Sequence, residues 1–229
     1  MGDESVLPTT TFSNCQRSRS PRDFSGPLLS LIVAGILTGG CQVQSEICLF
    51  DGKTLGQWKV TDFGGQGNVC VKDGAILLEM GNDMTGVTWC GPVVRMNYEM
   101  SLEATRKTGS DFFCGLTFPV ADVPCSLILG GWGGSVCGLS NIDHYDAANN
   151  ETTKVVEFED GRWYHVRLRV TPGRIESWLD NEKLVDIVTT ERHIGIRSEV
   201  DLSQPLGIAT WRTTGAVRNI HLKKLGTTD

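Results

Sequence analysis

The sequence predicts an all-β chain folded as a sandwich of two antiparallel sheets. Three observations predict it. Residues 160–188, DGRWYHVRLRVTPGRIESWLDNEKLVDIV, alternate in a strict pattern. Tyr164, Val166, Leu168 and Val170 fall on one face, and Trp163, His165, Arg167 and Arg169 on the other. That period of two marks a strand buried on one side. Glycine and Asx turns punctuate the chain at short intervals, and its 27 glycines exceed the usual share of about 7%. No window carries a long helical period with caps at both ends.

Strand signals begin at 47–50 and continue at 58–60, 69–71, 75–80, 98–105 and 111–118. Asp51-Gly52, Asp73-Gly74, Gly81-Asn82-Asp83 and Lys107-Thr108-Gly109 separate them, residues that accept the backbone angles of tight turns. Further signals lie at 126–129, 136–139 and 153–157. A three-stranded meander then opens after Asp160-Gly161. Pro172-Gly173 joins its first two strands, because proline presets φ and glycine accepts the positive φ of a type II turn. Asp180-Asn181 turns the chain into 184–188, and strands at 206–213 and 217–225 complete it. Gly130-Gly131-Trp132-Gly133-Gly134 is the one low-complexity patch. A tryptophan between two glycine pairs reads as a surface loop with a task. Many short strands with regular turns suit a sandwich or barrel.

The first 41 residues read as a leader. Residues 1–27 are polar and carry Arg17, Arg19 and Arg22. Residues 28–37 are apolar, but too few for the roughly 20 residues of a spanning helix. Thr38-Gly39-Gly40-Cys41 follows, the pattern of a secretory signal ending in small residues. The cysteine placed there resembles the lipobox of bacterial lipoproteins, although Thr38 stands where leucine is usual. Export is therefore expected, to the cell envelope, periplasm or medium, with Cys41 lipidated; a plain signal peptide cut nearby is the alternative. Residues 42–46 form a short linker and 47–229 the sandwich domain. Of the eight cysteines, Cys48, Cys70, Cys90, Cys114, Cys125 and Cys137 lie in that domain. Cys114 with Cys125 is the first choice for a disulfide; small buried apolar residues are the alternative. A net charge of −6 and a pI near 5.3 without a basic stripe exclude nucleic acid as a partner. Membrane contact is expected through a lipid anchor only, and a monomer is expected.

Two segments resemble a known family. Leu49-Phe50-Asp51-Gly52-Lys53-Thr54-Leu55-Gly56-Gln57-Trp58 resembles the LFNGKDLSGW opener of the 3-keto-disaccharide hydrolases. The strand with Val217-Arg218-Asn219-Ile220 resembles their closing VxFRNIxIKxL. The meander is similar to those of concanavalin A-like lectins and glucanases. The resemblance implies a concanavalin A-like jelly-roll β-sandwich and a glycoside as substrate. The middle of the chain departs from the family. Gly109-Ser110-Asp111-Phe112-Phe113-Cys114-Gly115 stands for its Asn-Ser-Gly segment. Gly131-Trp132-Gly133-Gly134-Ser135 stands for its Gly-Tyr-Glu-x-Gln segment, without the glutamate.

The Glu-x-Asp-x-x-Glu spacing that would line up acids on one strand face for a retaining glucanase is absent. Candidate chemistry gathers instead in 111–146. Asp111 opens an apolar strand and is either a catalytic carboxylate or a turn cap. Asp143-His144-Tyr145-Asp146 is the densest polar cluster. It offers His144 as a base with Asp143, or Asp143, His144 and Asp146 as ligands of a divalent metal ion, the cofactor such a set would suit; an ordinary hairpin connection is the alternative. Trp132, Trp89 and Trp211 lie beside small residues, where an aromatic plane can stack on a sugar's C–H face. Arg95, Arg197 and Arg212 can donate to hydroxyls. Glu99 and Glu103 share one strand face, either groove or solvent. Trp58, Trp163 and Trp178 read as core or edge packing. Asn150-Glu151-Thr152 is a glycosylation sequon. The function expected is that of an exported carbohydrate-active protein, a hydrolase or lyase on glycosides including 3-keto sugars. The alternatives are a glycan-binding module without catalysis and a structural envelope protein.

Overall fold

A computed structural model describes residues 46–226. The leader, Cys41 and most of the linker lie outside the described residues. The strands run in chain order as β1 (Glu46–Cys48), β2 (Trp58–Val60), β3 (Val69–Lys72), β4 (Ala75–Leu78), β5 (Met84–Trp89), β6 (Tyr98–Gly109), β7 (Cys114–Val120) and β8 (Val123–Gly130). A single turn at Gly131–Gly134 leads to β9 (Val136–Ser140), β10 (Lys154–Val155), β11 (Tyr164–Thr171), β12 (Arg174–Leu179) and β13 (Glu182–Val188). A 3₁₀ turn, Ser198–Ser203, precedes β14 (Gly207–Trp211) and β15 (Thr213–Lys224).

Two antiparallel sheets result, as the sequence predicts. Sheet A has the order β13-β12-β11-β6-β15-β4-β3, with β1 also on β15; sheet B has the order β10-β9-β8-β7-β14-β5-β2. The meander is β11-β12-β13, and Gly173 sits at φ 79° in its first turn. Tyr164, Val166, Leu168 and Val170 are buried while His165 is exposed, so the alternation read from the sequence is the alternation of sheet A.

The core fills the space between the sheets. Its sheet A side holds Ile76, Leu78, Met100, Leu102 and Val166; its sheet B side holds Val87, Leu116, Phe118, Leu127, Leu139 and Ile208. Most buried polar atoms are paired, as their desolvation requires; the hydroxyls of Ser177 and Ser203 are exceptions. Trp58 donates its indole N–H to Leu49 O at 2.9 Å, and Tyr98 its hydroxyl to Pro119 O at 2.7 Å.

Several expectations are corrected. Glu46, read as linker, pairs with Lys223 in β1. Strand β5 was not foreseen. Its sequence MTGVTW carries a glycine where alternation would show, because Gly86 faces Ala209 and Ile208 O with no room for a Cβ. The strand expected from 111 begins at Cys114. The Cys114–Cys125 disulfide is absent, and both thiols are free. Cys125 lies opposite Phe118, whereas Cys114 lies opposite Leu129. Four residues of strand separate the two by about 13 Å, beyond the roughly 7 Å that a disulfide spans. Glu99 and Glu103 do share the outer face of sheet A. Glu99 pairs with Arg167 and Arg169, and Glu103 with Arg218. Trp178 and Trp163 lie on the same face beneath Arg167 at 3.8 Å and Arg218 at 4.1 Å, a cation–aromatic surface and not core.

Candidate functional site

The inner face of sheet B is apolar; its outer face is built of small and hydroxylated residues. One row across the strands reads Gly86, Ala209, Gly115, Ile128 and Gly138. The next reads Thr88, Gly207, Thr117, Ser126 and Ser140. Thr117 and Ser126 share a hydrogen bond of 2.9 Å. Such a face lets other chain segments lie directly on the backbone. Phe112 packs on Gly115, and Ser203 packs on Gly207, so closely that a Cβ there would fall 2.5 Å from Ser203 O. Thr88 donates its hydroxyl to Leu202 O at 3.0 Å. Segment 190–206 thus forms a strap over β5 and β14, with Val200 seated among Met84, Ala209, Phe112 and Trp211.

A second segment, the 141–153 loop, covers the face over β9. Strap and loop are clasped together. Asn141 exchanges two backbone hydrogen bonds with Gly195, and its side chain donates to Ile196 O at 3.0 Å. Asp143 accepts from Arg192 Nε at 2.6 Å and from His193 N–H at 2.8 Å. Arg192 also reaches Glu151 at 2.6 Å. Arg197 bridges Asp146 at 3.0 Å and Glu199 at 2.6 Å.

Between the strap, Asp111-Phe112 and the Gly131–Gly134 turn a pocket of about 160 Å³ remains. Ser126, Ser140 and Ile128 form its floor. Met84, Phe112, Trp132 and Trp211 supply apolar walls, and Asp111, Arg197 and Glu199 the charges. Phe112 and Trp211 lie 6.4 Å apart, tilted. Trp132 is 40% exposed and stands at φ 48° between glycines. Asp111 uses one carboxylate oxygen, Oδ1, to accept Phe112 N–H at 2.7 Å; among the described residues Oδ2 has no partner. The hydrogen bond from Arg197 holds the Glu199 carboxyl below its ordinary value, so Glu199 is an ionised partner of Arg197. Aromatic planes, hydroxyls and charges on one small cavity form an amphipathic site.

The structure brings together Asp111, Trp132, Trp211 and Arg197 of the residues singled out in the sequence. It leaves others outside. Trp89 is buried in the core against Trp58, with centroids 5.2 Å apart, and donates to Pro92 O. Arg95 is exposed, and among the described residues its side chain makes one hydrogen bond, to Ala121 O. Arg212 adjoins Trp211 but is engaged by Asp83. His144 is exposed, stacked on His193 at 3.9 Å, and does not line the pocket. Asp143 is held below the usual carboxylate range, first by the His193 N–H bond and then by Arg192; its task is the clasp. The metal set does not fit a metal. Asp143 and Asp146 point their oxygens at arginines and N–H donors, and no group of three His, Cys, Asp or Glu side chains among the described residues is placed to hold an ion. Asn150 of the sequon is turned inward. Its amide donates to Leu139, Tyr145 and Asp146 carbonyls while its Oδ1 accepts from Thr152.

Sequence reasoning missed Phe112, Glu199, Ser126 and Ser140. Phe112 had a signal, since in Phe112-Phe113 adjacent side chains must take opposite faces once they enter a strand. Glu199 had none, because the strap carries no periodic pattern.

Three comparisons bear on the fold and family. The model of a family described as the 3-keto-alpha-glucoside-1,2-lyase-like domain matches residues 46–223. No curated protein matches the chain in sequence. Among solved structures, the Crh5 transglycosylase in complex with NAG is similar with a TM-score of 0.57 at 10% identity, over 80% of this chain and 85% of that one. A Bacillus subtilis protein of unknown function with a galectin-like fold gives 0.53 at 9% identity, over 74% and 90%. A provisionally assigned glycosyl hydrolase from Parabacteroides distasonis ATCC 8503 gives 0.51 at 15% identity, over 79% and 94%. At these identities the likeness is one of fold.

Proposed function

Because the chain belongs to the family of 3-keto-α-glucoside-1,2-lyase-like domains, we propose that it is a carbohydrate-active protein that seats one 3-keto-glycosyl unit in the pocket on sheet B and cleaves its glycosidic bond by elimination. A keto group at C3 acidifies the C2–H bond, since the electron pair left behind spreads onto the C3 oxygen. That enolate expels the glycosidic oxygen from C1 and leaves a C1=C2 double bond; the departing oxygen takes up a proton. The reaction needs a base at C2 and a cation or N–H donor at the C3 oxygen. Asp111, which lines the pocket and whose Oδ2 carries no hydrogen bond among the described residues, is the base. Arg197, on the strap, stabilises the enolate oxygen. Trp132, Trp211 and Phe112 cover the C–H faces of the ring, and Ser126 and Ser140 meet its hydroxyls. The observation that carries this reading is the pocket itself, in which a carboxylate, an arginine and three aromatic rings line one cavity. The same reading has the protein exported and Cys41 lipidated, supported by the apolar run 28–37 ahead of Gly39-Gly40-Cys41.

The test is release of nitrophenolate from p-nitrophenyl 3-keto-α-glucoside. Asp111→Asn is expected to lower turnover by about 10²–10⁴-fold, with tryptophan fluorescence still reporting saturable binding of methyl 3-keto-α-glucoside. Wild-type turnover in that variant removes Asp111 as the base. A second reading, glycan binding without chemistry, is favoured by the Gly131-Trp132-Gly133-Gly134 segment, which lacks the glutamate of its relatives' pattern. Saturable binding by the wild type without any nitrophenolate release establishes it instead.

A further inference from the structure

Arg197 is the cation of the pocket, yet its side chain is 44% exposed and it stands on the strap, which is itself a surface segment. Something must fix where its guanidinium points. Glu199 takes its Nε at 3.3 Å and Nη2 at 2.6 Å, but Glu199 is two residues away on the same strap and moves with it. Asp146 is different. It belongs to the 141–153 loop, its side chain is only 16% exposed, and it takes Arg197 Nη1 at 3.0 Å.

Asp146 cannot follow the arginine; the arginine must come to it. Its Oδ1 is engaged by Ala148 N–H at 3.1 Å and by the Asn149 amide at 2.8 Å. Its backbone carbonyl is held by Asn150 at 2.8 Å, and Asn150 in turn donates to Leu139 O on β9 at 2.8 Å. A chain of hydrogen bonds therefore runs from sheet B through Asn150 and Asp146 to the guanidinium. With Nε–H and one N–H on each Nη occupied, one N–H on each Nη remains. Donors on two nitrogens of one rigid plane can reach two oxygens of one ligand, which the single ammonium of a lysine does not fix.

We propose that Asp146 is a positioning residue, which sets the orientation of Arg197 and so presents its two remaining N–H groups to oxygens of the bound sugar. The inference rests on the pocket being a glycosyl site. The side chain that reads in sequence as a metal ligand thereby acquires a role in specificity through another residue.

A double-mutant cycle tests it, with binding of methyl 3-keto-α-glucoside followed by tryptophan fluorescence so that no turnover is required. Asp146→Asn keeps the Oδ1 bonds to Ala148 and Asn149 and loses the charge facing Arg197. It is expected to weaken binding about tenfold, the loss of one charge-assisted contact. Arg197→Ala is expected to weaken binding at least as much, and the double variant no more than Arg197→Ala alone, because Asp146 acts only through the arginine. Additive losses, or wild-type affinity in Asp146→Asn beside weakened Arg197→Ala, overturn the positioning role and leave the glycosyl site standing. Wild-type affinity in Arg197→Ala, or no binding by the wild type, overturns the glycosyl site and the positioning role together. Thermal melts check that each variant is folded. Should Asp146→Asn fail to fold, Asp146→Ser, whose hydroxyl can keep the turn to Ala148, takes its place and is read the same way.

Discussion

Trp132 shows how much one residue's neighbours reveal. A bulky side chain at positive φ is uncommon and costs on the order of 1–3 kcal/mol; here it stands at φ 48° with glycine on either side, its ring at the pocket mouth. The flanking glycines made that position legible in the sequence. Trp89 carries the same cue, small neighbours, yet is buried in a core strand, so the cue alone does not separate pocket from core. The cysteines make a firmer residue-scale case. Burial pushes the thiols of Cys114, Cys125 and Cys137 up to about 12, while Cys48 and Cys90 are exposed. A thiol reagent at neutral pH is expected to label Cys48 and Cys90 in the folded domain, and the three buried thiols only after denaturant is added. Mass spectrometry of the labelled peptides decides it; rapid labelling of Cys125 in the folded state contradicts the burial described.

At the scale of elements, the meander was legible because strand periodicity is written in every second residue, whereas strap and loop were not. Neither has a repeating face; their shape comes from long-range partners such as Asn141 with Gly195 and Asp143 with Arg192, 49 or more residues apart. Polar density in Asp143-His144-Tyr145-Asp146 is the same whether it serves a metal, a base or a clasp, and only the fold separates them. The clasp has a pH signature. Asp143 has a folded-state pKa below its unfolded one. Its stabilisation is complete above the unfolded value and is lost as pH falls through the lower folded value. Melting temperatures of the wild type are therefore expected to fall more steeply below about pH 4 than those of Asp143→Asn, which has no such proton to take up. Parallel acid limbs in the two proteins rule out the contribution of Asp143.

At the scale of the whole molecule, the two-sheet architecture followed from pattern and turns, and the site only in some of its residues, not in its assembly. The pocket depends on which face of sheet B other segments lie on, and no local pattern encodes that. The sandwich is held by one shared core. Phe113 is fully buried and packs edge-on against Phe158, with centroids 4.9 Å apart, beside Tyr164 of sheet A. Phe113→Ala is expected to cost roughly 3–5 kcal/mol, read as a lower urea midpoint with an unchanged m-value. Two separated transitions in the wild-type domain contradict a common core.

The row Gly86, Ala209, Gly115 and Gly138 has a consequence for how this site can vary. The row carries the cover and not the ligand: Phe112 rests on Gly115, Val200 against Ala209, and the 141–153 loop on Gly138. A larger residue in the row would lift the segment above it and displace a wall of the pocket. Variation in ligand size is therefore open at the margins, through Trp132, Trp211, Phe112 and the strap. A designer who wishes to admit a bulkier sugar should reshape the rim and leave the bed of the sheet alone.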